Sequence, residues 1–265
     1  MDVVSRAEAA QRLLAAYGTR QAVEPPSGVY PDMTLADAYE IQLLQIRARL
    51  AAGAAIQGHK VGLTSVAMQR QLGVDRPDYG HLLSDMFHAE HEPIAAGGYL
   101  QPRIEPEVAF VLRRELRGPG VTVAHAVAAV DFVLPALELI DSRVRDWKIG
   151  LLDTIADNAS SGGVVLGSRP TRLDRVDLRR SGCVLYRRAL VVATGAGGAV
   201  LGSPLNSLVW LANTLGQRGV VLEPGQVVLP GSVTASVPVA AGDSFTATFA
   251  GLGSVSARFL EDPHD

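Results

Sequence analysis

Apolar residues recur at helical spacing over residues 5–17, in a stretch rich in alanine, and this pattern predicts an amphipathic helix. The segment EPPSGVYPDM then breaks the chain with three prolines. Thr34 stands as an N-cap before LADAYEIQLLQIRARLAAG, a second amphipathic helix ending near Gly53. From Ala55 onward the pattern changes. Short apolar runs (GHKVGLT, EVAFVL, VDFVLPALELI, GGVVLG, CVLYRRALVVATG, QVVLPG, SFTATF and GSVSARF) alternate with Gly, Pro and Asp. Many short strands joined by tight turns predict a β-rich core rather than a regular βαβ repeat. Ser203-Pro204 reads as an N-cap and first turn of one later helix, roughly residues 204–217. The expected organisation is α+β, with a helical region over 1–54 and a catalytic domain over 55–265 forming one structural unit.

Composition narrows the classes without choosing a function. The chain has 265 residues, 48% hydrophobic and 19% charged, which is the profile of a globular protein with a large core. Its net charge of −3 and scattered basic residues provide no footprint for nucleic acid or an anionic membrane. Cys183, the only cysteine, excludes an intrachain disulfide and disfavours a thiolate metal site. With no signal-peptide core at the N-terminus and no window of 18 uninterrupted apolar residues, the expected location is the cytoplasm. Three short motifs have plain readings. TGAGGAVLG (194–202) is expected to make a hairpin turn, HAEH (88–91) a polar loop, and RVRDWK (143–148) a solvated or ion-paired segment.

The strand LQPRIEPEVAFVL (100–112) carries an anomaly. Glu105 and Glu107 sit among Ile104, Val108, Ala109, Phe110, Val111 and Leu112, and residues two apart on a strand share a face. Two carboxylates about 6 Å apart repel by roughly 3 kcal/mol at an effective dielectric near 20. Desolvation adds several kcal/mol per ion. Pro106 between them points to an edge strand, where both could simply face water. A second apolar run, VDFVLPALELID, places Glu138 on a face with Leu134, Ala136 and Ile140. Three carboxylates on two apolar strands also make the oxygen donor set of a hard divalent cation. Spacing alone leaves both readings open.

The motifs GHKVGLTS, GVDRPDYGHLLSDM, QPRIEPEVAFVL, LPALELIDSRVRDWK and DTIADNASSGGVVLG, in that order, resemble the 2-keto-4-pentenoate (2-hydroxypenta-2,4-dienoate) hydratases. These form part of the hydratase/decarboxylase branch of the fumarylacetoacetate hydrolase superfamily. The similarity runs from about residue 30 to GSVSARF near the C-terminus. It implies N-terminal helices packed on a mixed, strongly curved β-roll like the fumarylacetoacetate hydrolase C-terminal domain. It also implies Mg²⁺ or Mn²⁺ held by Glu105, Glu107 and Glu138, with Lys60 and Asp78 handling protons. Arg103, Asp157, Asn158, Ser160, and Gly231 and Ser232 of the turn LPGSV are the implied substrate contacts.

The implied activity is metal-dependent hydration of 2-hydroxypenta-2,4-dienoate to 4-hydroxy-2-oxopentanoate, in meta-cleavage degradation of aromatic compounds. The same carboxylates would also serve a 4-oxalocrotonate decarboxylase, or a non-catalytic subunit of a hydratase–decarboxylase assembly. Homo-oligomers, and a pathway decarboxylase or aldolase as partner, are further implications. The absence of an insertion between IDSR and DTIADNAS favours the pentadienoate over a seven-carbon diacid.

Overall fold

A computed structural model describes residues 1–65, 69 and 74–260. Gly73, the first residue of the GVDRPDYGHLLSDM motif, and residues 261–265 of the expected catalytic domain lie outside them.

Both N-terminal helices form where the apolar spacing places them. Helix α1 (Val3–Thr19) is capped by Asp2, whose Oδ1 accepts from the Ser5 amide at 2.7 Å. Helix α2 (Leu35–Ala51) starts on a capping box: Thr34 Oγ1 accepts from the Asp37 amide and Asp37 Oδ2 from the Thr34 amide. The faces carrying Ala9, Ala10 and Leu13 of α1 and Ala38 and Ile41 of α2 join one buried cluster with the β-sheet core. The proline-rich segment between them contains a single helical turn, Pro26–Val29. A third helix, α3 (Pro204–Gly216), begins as expected with Pro204 in its first turn, but the Ser203 side chain makes no capping bond.

The strands build two sheets. The larger is mixed and ordered β2-β1-β9-β4-β5-β6-β3, with β10 also on β4. Its members are β1 (Ile56–Gly62), β2 (Asp78–Leu83), β3 (Phe87–His88), β4 (Arg103–Leu112), β5 (Val130–Ile140), β6 (Ser161–Leu166), β9 (Val227–Leu229) and β10 (Val237–Pro238). β1–β9 and β3–β6 are parallel; the other pairs are antiparallel. The smaller sheet is ordered β12-β11-β7-β8, from β7 (Gly182–Arg187), β8 (Leu190–Ala196), β11 (Ser244–Phe249) and β12 (Gly253–Arg258). Leu185, Phe245, Ala247 and Val255 of this sheet join the core shared with Val133, Leu137 and Leu139 of β5.

Two sequence expectations are corrected here. TGAGGAVLG does not form the hairpin turn: the β7–β8 turn is Arg188-Ala189, both with positive φ, while Gly195 falls near the end of β8, Gly197 and Gly198 in the short helical turn after it, and Gly202 in a further turn before α3. Pro106 does not mark an edge. β4 is central, paired with β5 along its whole length, and on its other flank pairs with β10 at Arg103–Ile104 and with β9 at Phe110–Val111. Pro106 sits in the gap between those two pairings, where a ring nitrogen without a hydrogen forfeits no ladder bond on that flank. The turn after β9 enters this gap, and the Val233 amide donates to Pro106 O at 3.1 Å.

Candidate active site

The β4–β5 register assembles the carboxylates. Glu105 lies directly opposite Glu138, and Glu107, opposite Ala136, is the diagonal neighbour on the same face. One carboxylate oxygen from each of Glu105, Glu107 and Glu138 lies within 4.8 Å of the others. At that separation each pair repels by roughly 3–4 kcal/mol at an effective dielectric near 20. Glu107 and Glu138 are almost wholly buried, at 1% and 0% exposure, so water cannot relieve the repulsion. Burial pushes Glu105 up, and pushes Glu138 up to about 7 against the opposing charge of Lys60. Burial followed by the charges of Glu138 and Glu105 raises Glu107 well above the carboxylate range.

Only part of this negative charge is met by protein. Lys60 Nζ lies 3.4 Å from Glu138 Oε1 and donates to Ala159 O at 2.9 Å. Burial alone would lower the proton affinity of Lys60; the combined field of Glu138, Asp78, Glu105 and Glu107 outweighs it and holds the ammonium. Glu107 Oε2 accepts from the Gly231 amide at 2.8 Å. Neither oxygen of Glu138 has a hydrogen-bond partner among the described residues. Three converging carboxylates, two of them buried and one of those without hydrogen bonds, fit a hard divalent cation such as Mg²⁺ or Mn²⁺, whose ligands are oxygens.

In front of Glu105 lies a cavity of about 340 Å³ lined by Lys60, Asp78, Arg103, Ser160, Ser232 and Trp147, among others. Three buried polar atoms of lining residues have no hydrogen-bond partner among the described residues: Asp78 Oδ1, Arg103 Nε and Ser160 Oγ. Asp78 Oδ2 accepts from Thr154 Oγ1 at 3.2 Å, and burial raises its carboxyl despite the nearby Lys60. The glycines of GHKVG make room for this arrangement. A Cβ on Gly62 would collide with Asp78 Oδ1, and one on Gly58 with the Val227 carbonyl of β9.

The turn between the short helix Leu151–Ala156 and β6 holds the Lys60 acceptor. Asn158, Ala159 and Ser160 all have positive φ, at 53°, 51° and 53°, a run that non-glycine residues adopt only when their surroundings enforce it. The Asn158 side chain clamps β2, accepting from the His81 amide at 2.8 Å and donating to His81 O at 2.9 Å. Asp157, fully buried, receives Arg143 Nε at 2.6 Å and the Arg143 amide at 3.0 Å.

The structure therefore brings Lys60, Asp78, Glu105, Glu107, Glu138, Arg103, Ser160 and Ser232 to one place, and leaves three of the expected substrate contacts outside the cavity lining. Asp157 and Asn158 are spent on Arg143 and β2 and do not line the cavity; the Gly231 amide is spent on Glu107. RVRDWK is ion-paired, as expected, through Arg143–Asp157, Arg145–Glu24 and Lys148–Asp146, while Arg143 is also fully buried and Trp147 lines the cavity. Thr154 and Trp147 were not anticipated. Nothing in their spacing marks Thr154, and Trp147 carried the one available signal, a large aromatic in an otherwise charged run.

Residues 51–260 match the family described as fumarylacetoacetate (FAA) hydrolase C-terminal. The chain is similar to the TodF product hydratase of Pseudomonas putida (strain F1), 46% identical over 96% of this chain and 95% of that protein. It is also similar to a 2-keto-4-pentenoate hydratase of Paraburkholderia xenovorans (strain LB400), 44% identical over 98% and 96%. Among solved structures, 4-oxalocrotonate decarboxylase from Pseudomonas putida G7, complexed with magnesium and adipate, superposes with a TM-score of 0.95 at 39% identity. That match covers 98% of this chain and 99% of the decarboxylase.

Proposed function

Because the chain belongs to the fumarylacetoacetate hydrolase C-terminal family, we propose that it is a metal-dependent hydro-lyase of aromatic meta-cleavage degradation, converting 2-hydroxypenta-2,4-dienoate to 4-hydroxy-2-oxopentanoate. The observation that carries this reading is the buried acidic triad standing behind a cavity that also presents Lys60 and Asp78. In it Glu105, Glu107 and Glu138 would hold Mg²⁺ or Mn²⁺. Such a cation, when bound, supplies Lewis-acid stabilisation of negative charge on the 2-oxo oxygen.

The chain's own groups supply the rest. Arg103, whose Nε has no hydrogen-bond partner among the described residues, pairs with the substrate carboxylate. Ser160 Oγ and the Ser232 hydroxyl, both at the cavity wall, hydrogen-bond substrate oxygens. Lys60, kept as an ammonium by its acidic neighbours, gives a proton to the terminal carbon of the dienol and takes up the proton that the 2-hydroxyl releases, which leaves an α,β-unsaturated 2-oxo acid. Asp78 uses its unpaired Oδ1 to take a proton from water as the oxygen adds at the β carbon, and returns that proton to the neighbouring carbon to complete the addition.

The same reading takes residues 1–54 as a helical region and 55–265 as the catalytic roll, acting in the cytoplasm as a homo-oligomer beside a pathway decarboxylase or aldolase. No helix of the described residues is long and apolar enough to cross a membrane. The likeness to 4-oxalocrotonate decarboxylase carries a second reading, since decarboxylation uses the same stabilised enolate. One assay separates them. The Mg²⁺-loaded protein is given each substrate, consumption is followed in the ultraviolet, and products are identified by mass. Hydration predicts a gain of one water from the pentadienoate. CO₂ from 4-oxalocrotonate with the pentadienoate untouched would transfer the assignment to the decarboxylase.

A further inference from the structure

Trp147 stands in a conformation that its own backbone disfavours. Its φ is 55° and that of the preceding Asp146 is 57°, in a left-handed region where a bulky side chain is an outlier. Surrounding contacts enforce it. Trp147 Nε1 donates to Gln101 O at 3.0 Å, and Gln101 Nε2 donates to Ser142 O and Val144 O at 2.9 and 2.8 Å. Asp141 closes the network by accepting from the Leu100 and Gln101 amides. The segment before β4 and the loop after β5 are thereby stitched together. What the stitching delivers is the indole, which faces the Arg103 guanidinium with 5.6 Å between guanidinium carbon and ring centroid. Both side chains line the cavity, and the guanidinium has no ion pair or hydrogen bond among the described residues.

We propose that Trp147 is a positioning residue: its ring fixes the Arg103 guanidinium in the attitude that receives the substrate carboxylate. The proposal rests on the carboxylate-binding role given to Arg103 above. An aromatic face attracts a guanidinium without satisfying any of its N–H donors, so Arg103 is oriented while its hydrogen bonds stay available to a ligand. A carboxylate partner at the same place would orient it equally well but would consume those donors.

The test contrasts two substitutions of similar bulk, Trp147→Phe, which keeps a π face, and Trp147→Leu, which does not. The readout is calorimetric binding of the unreactive acid 2-oxobutanoate and of its uncharged amide to the Mg²⁺-loaded protein. Because it needs no turnover, the result stands whether or not the dienoate is hydrated. Trp147→Leu is expected to reduce the preference for acid over amide by about five- to tenfold, the size of a cation–π contact between half-buried groups. Trp147→Phe is expected to retain that preference within about threefold, and Trp147→Leu to add less than about twofold in an Arg103→Met background. Equal losses for acid and amide, equal behaviour of the Phe and Leu variants, an unchanged preference in Trp147→Leu, or an undiminished effect of that substitution without Arg103 would each overturn the proposal. So would a wild-type protein that binds acid and amide alike.

Discussion

At the scale of single residues, the site is a problem of uncompensated charge. Glu105, Glu107 and Glu138 crowd their oxygens within 4.8 Å, and Lys60 is the one cation in contact with them among the described residues. Without a divalent ion, burial and mutual repulsion force protons onto the cluster, which is why Glu138 rises to about 7 and Glu107 rises well above the usual carboxylate range. Glu107→Gln removes one charge while keeping an oxygen to accept from the Gly231 amide. This variant is expected to fold, with a metal-free melting temperature no lower than that of the wild type, because a neutral amide spares the cluster the cost of either protonating or repelling a third carboxylate. Its Mg²⁺ affinity should fall by more than about a hundredfold, beyond the loss typical of outer-shell changes. Calorimetric titration and thermal melting read the two quantities separately; wild-type affinity in the variant would remove Glu107 from the ligand set. The three carboxylates were legible because alternation on an apolar strand makes a charge conspicuous. Asp157 and Asn158 give no such signal, for the opposite reason. They stand in a polar run, and sequence does not reveal that Arg143 and the β2 main chain already occupy them.

At the scale of elements, β1 and β2 hold a second buried polar pair. His59 and His81 face each other in the register, ring centroids 5.0 Å apart, at 2% and 4% exposure. Neither ring nitrogen of His59 has a hydrogen-bond partner among the described residues. Burial lowers His81 to about 4 and, followed by the neighbouring His81, sets His59 well below the usual imidazole value. A folded-state value below the unfolded one of about 6.5 means that the unfolded chain takes up the proton first. The stability associated with neutral His81 is therefore full above about pH 6.5 and is lost as pH falls toward about 4. Between pH 7 and pH 5 this amounts to about 2 kcal/mol for His81 alone. His81→Leu should lose correspondingly less stability than wild type over that interval in denaturant melts. The buried carboxylates, present in both proteins, largely cancel in the difference. Parallel pH profiles would show that His81 does not titrate as a buried neutral group. β4 also shows why element type was readable while element position was not. Its apolar run announces a strand, but Pro106 is tolerated at its centre only because flanking pairings by β9 and β10 leave a gap there, a property of topology.

At the scale of the whole molecule, the sequence-level expectation of helices followed by many short strands holds, and so does the curved mixed sheet that the resemblance implied. Periodicity and capping chemistry placed α1, α2 and the start of α3. It could not show that the chain divides its strands between two sheets, or that a left-handed turn at Asn158–Ser160 would deliver a carbonyl to Lys60. Those features come from long-range closure, which no local pattern encodes. The closure also explains how the site keeps its shape. β1, β2, β4 and β5 belong to one sheet, and the turn before β6 is locked to β2 by Asn158 and to the segment after β5 by Arg143.

The chemistry proposed for this site depends on a divalent cation held by Glu105, Glu107 and Glu138. Protein dialysed against a chelator, with 2-hydroxypenta-2,4-dienoate consumption followed in the ultraviolet before and after Mg²⁺ is returned, measures this most directly. The expected result is loss of at least about 99% of turnover on chelation, as removal of a Lewis acid worth several kcal/mol requires, and recovery on addition of Mg²⁺ or Mn²⁺. Full turnover by the metal-free protein would contradict it.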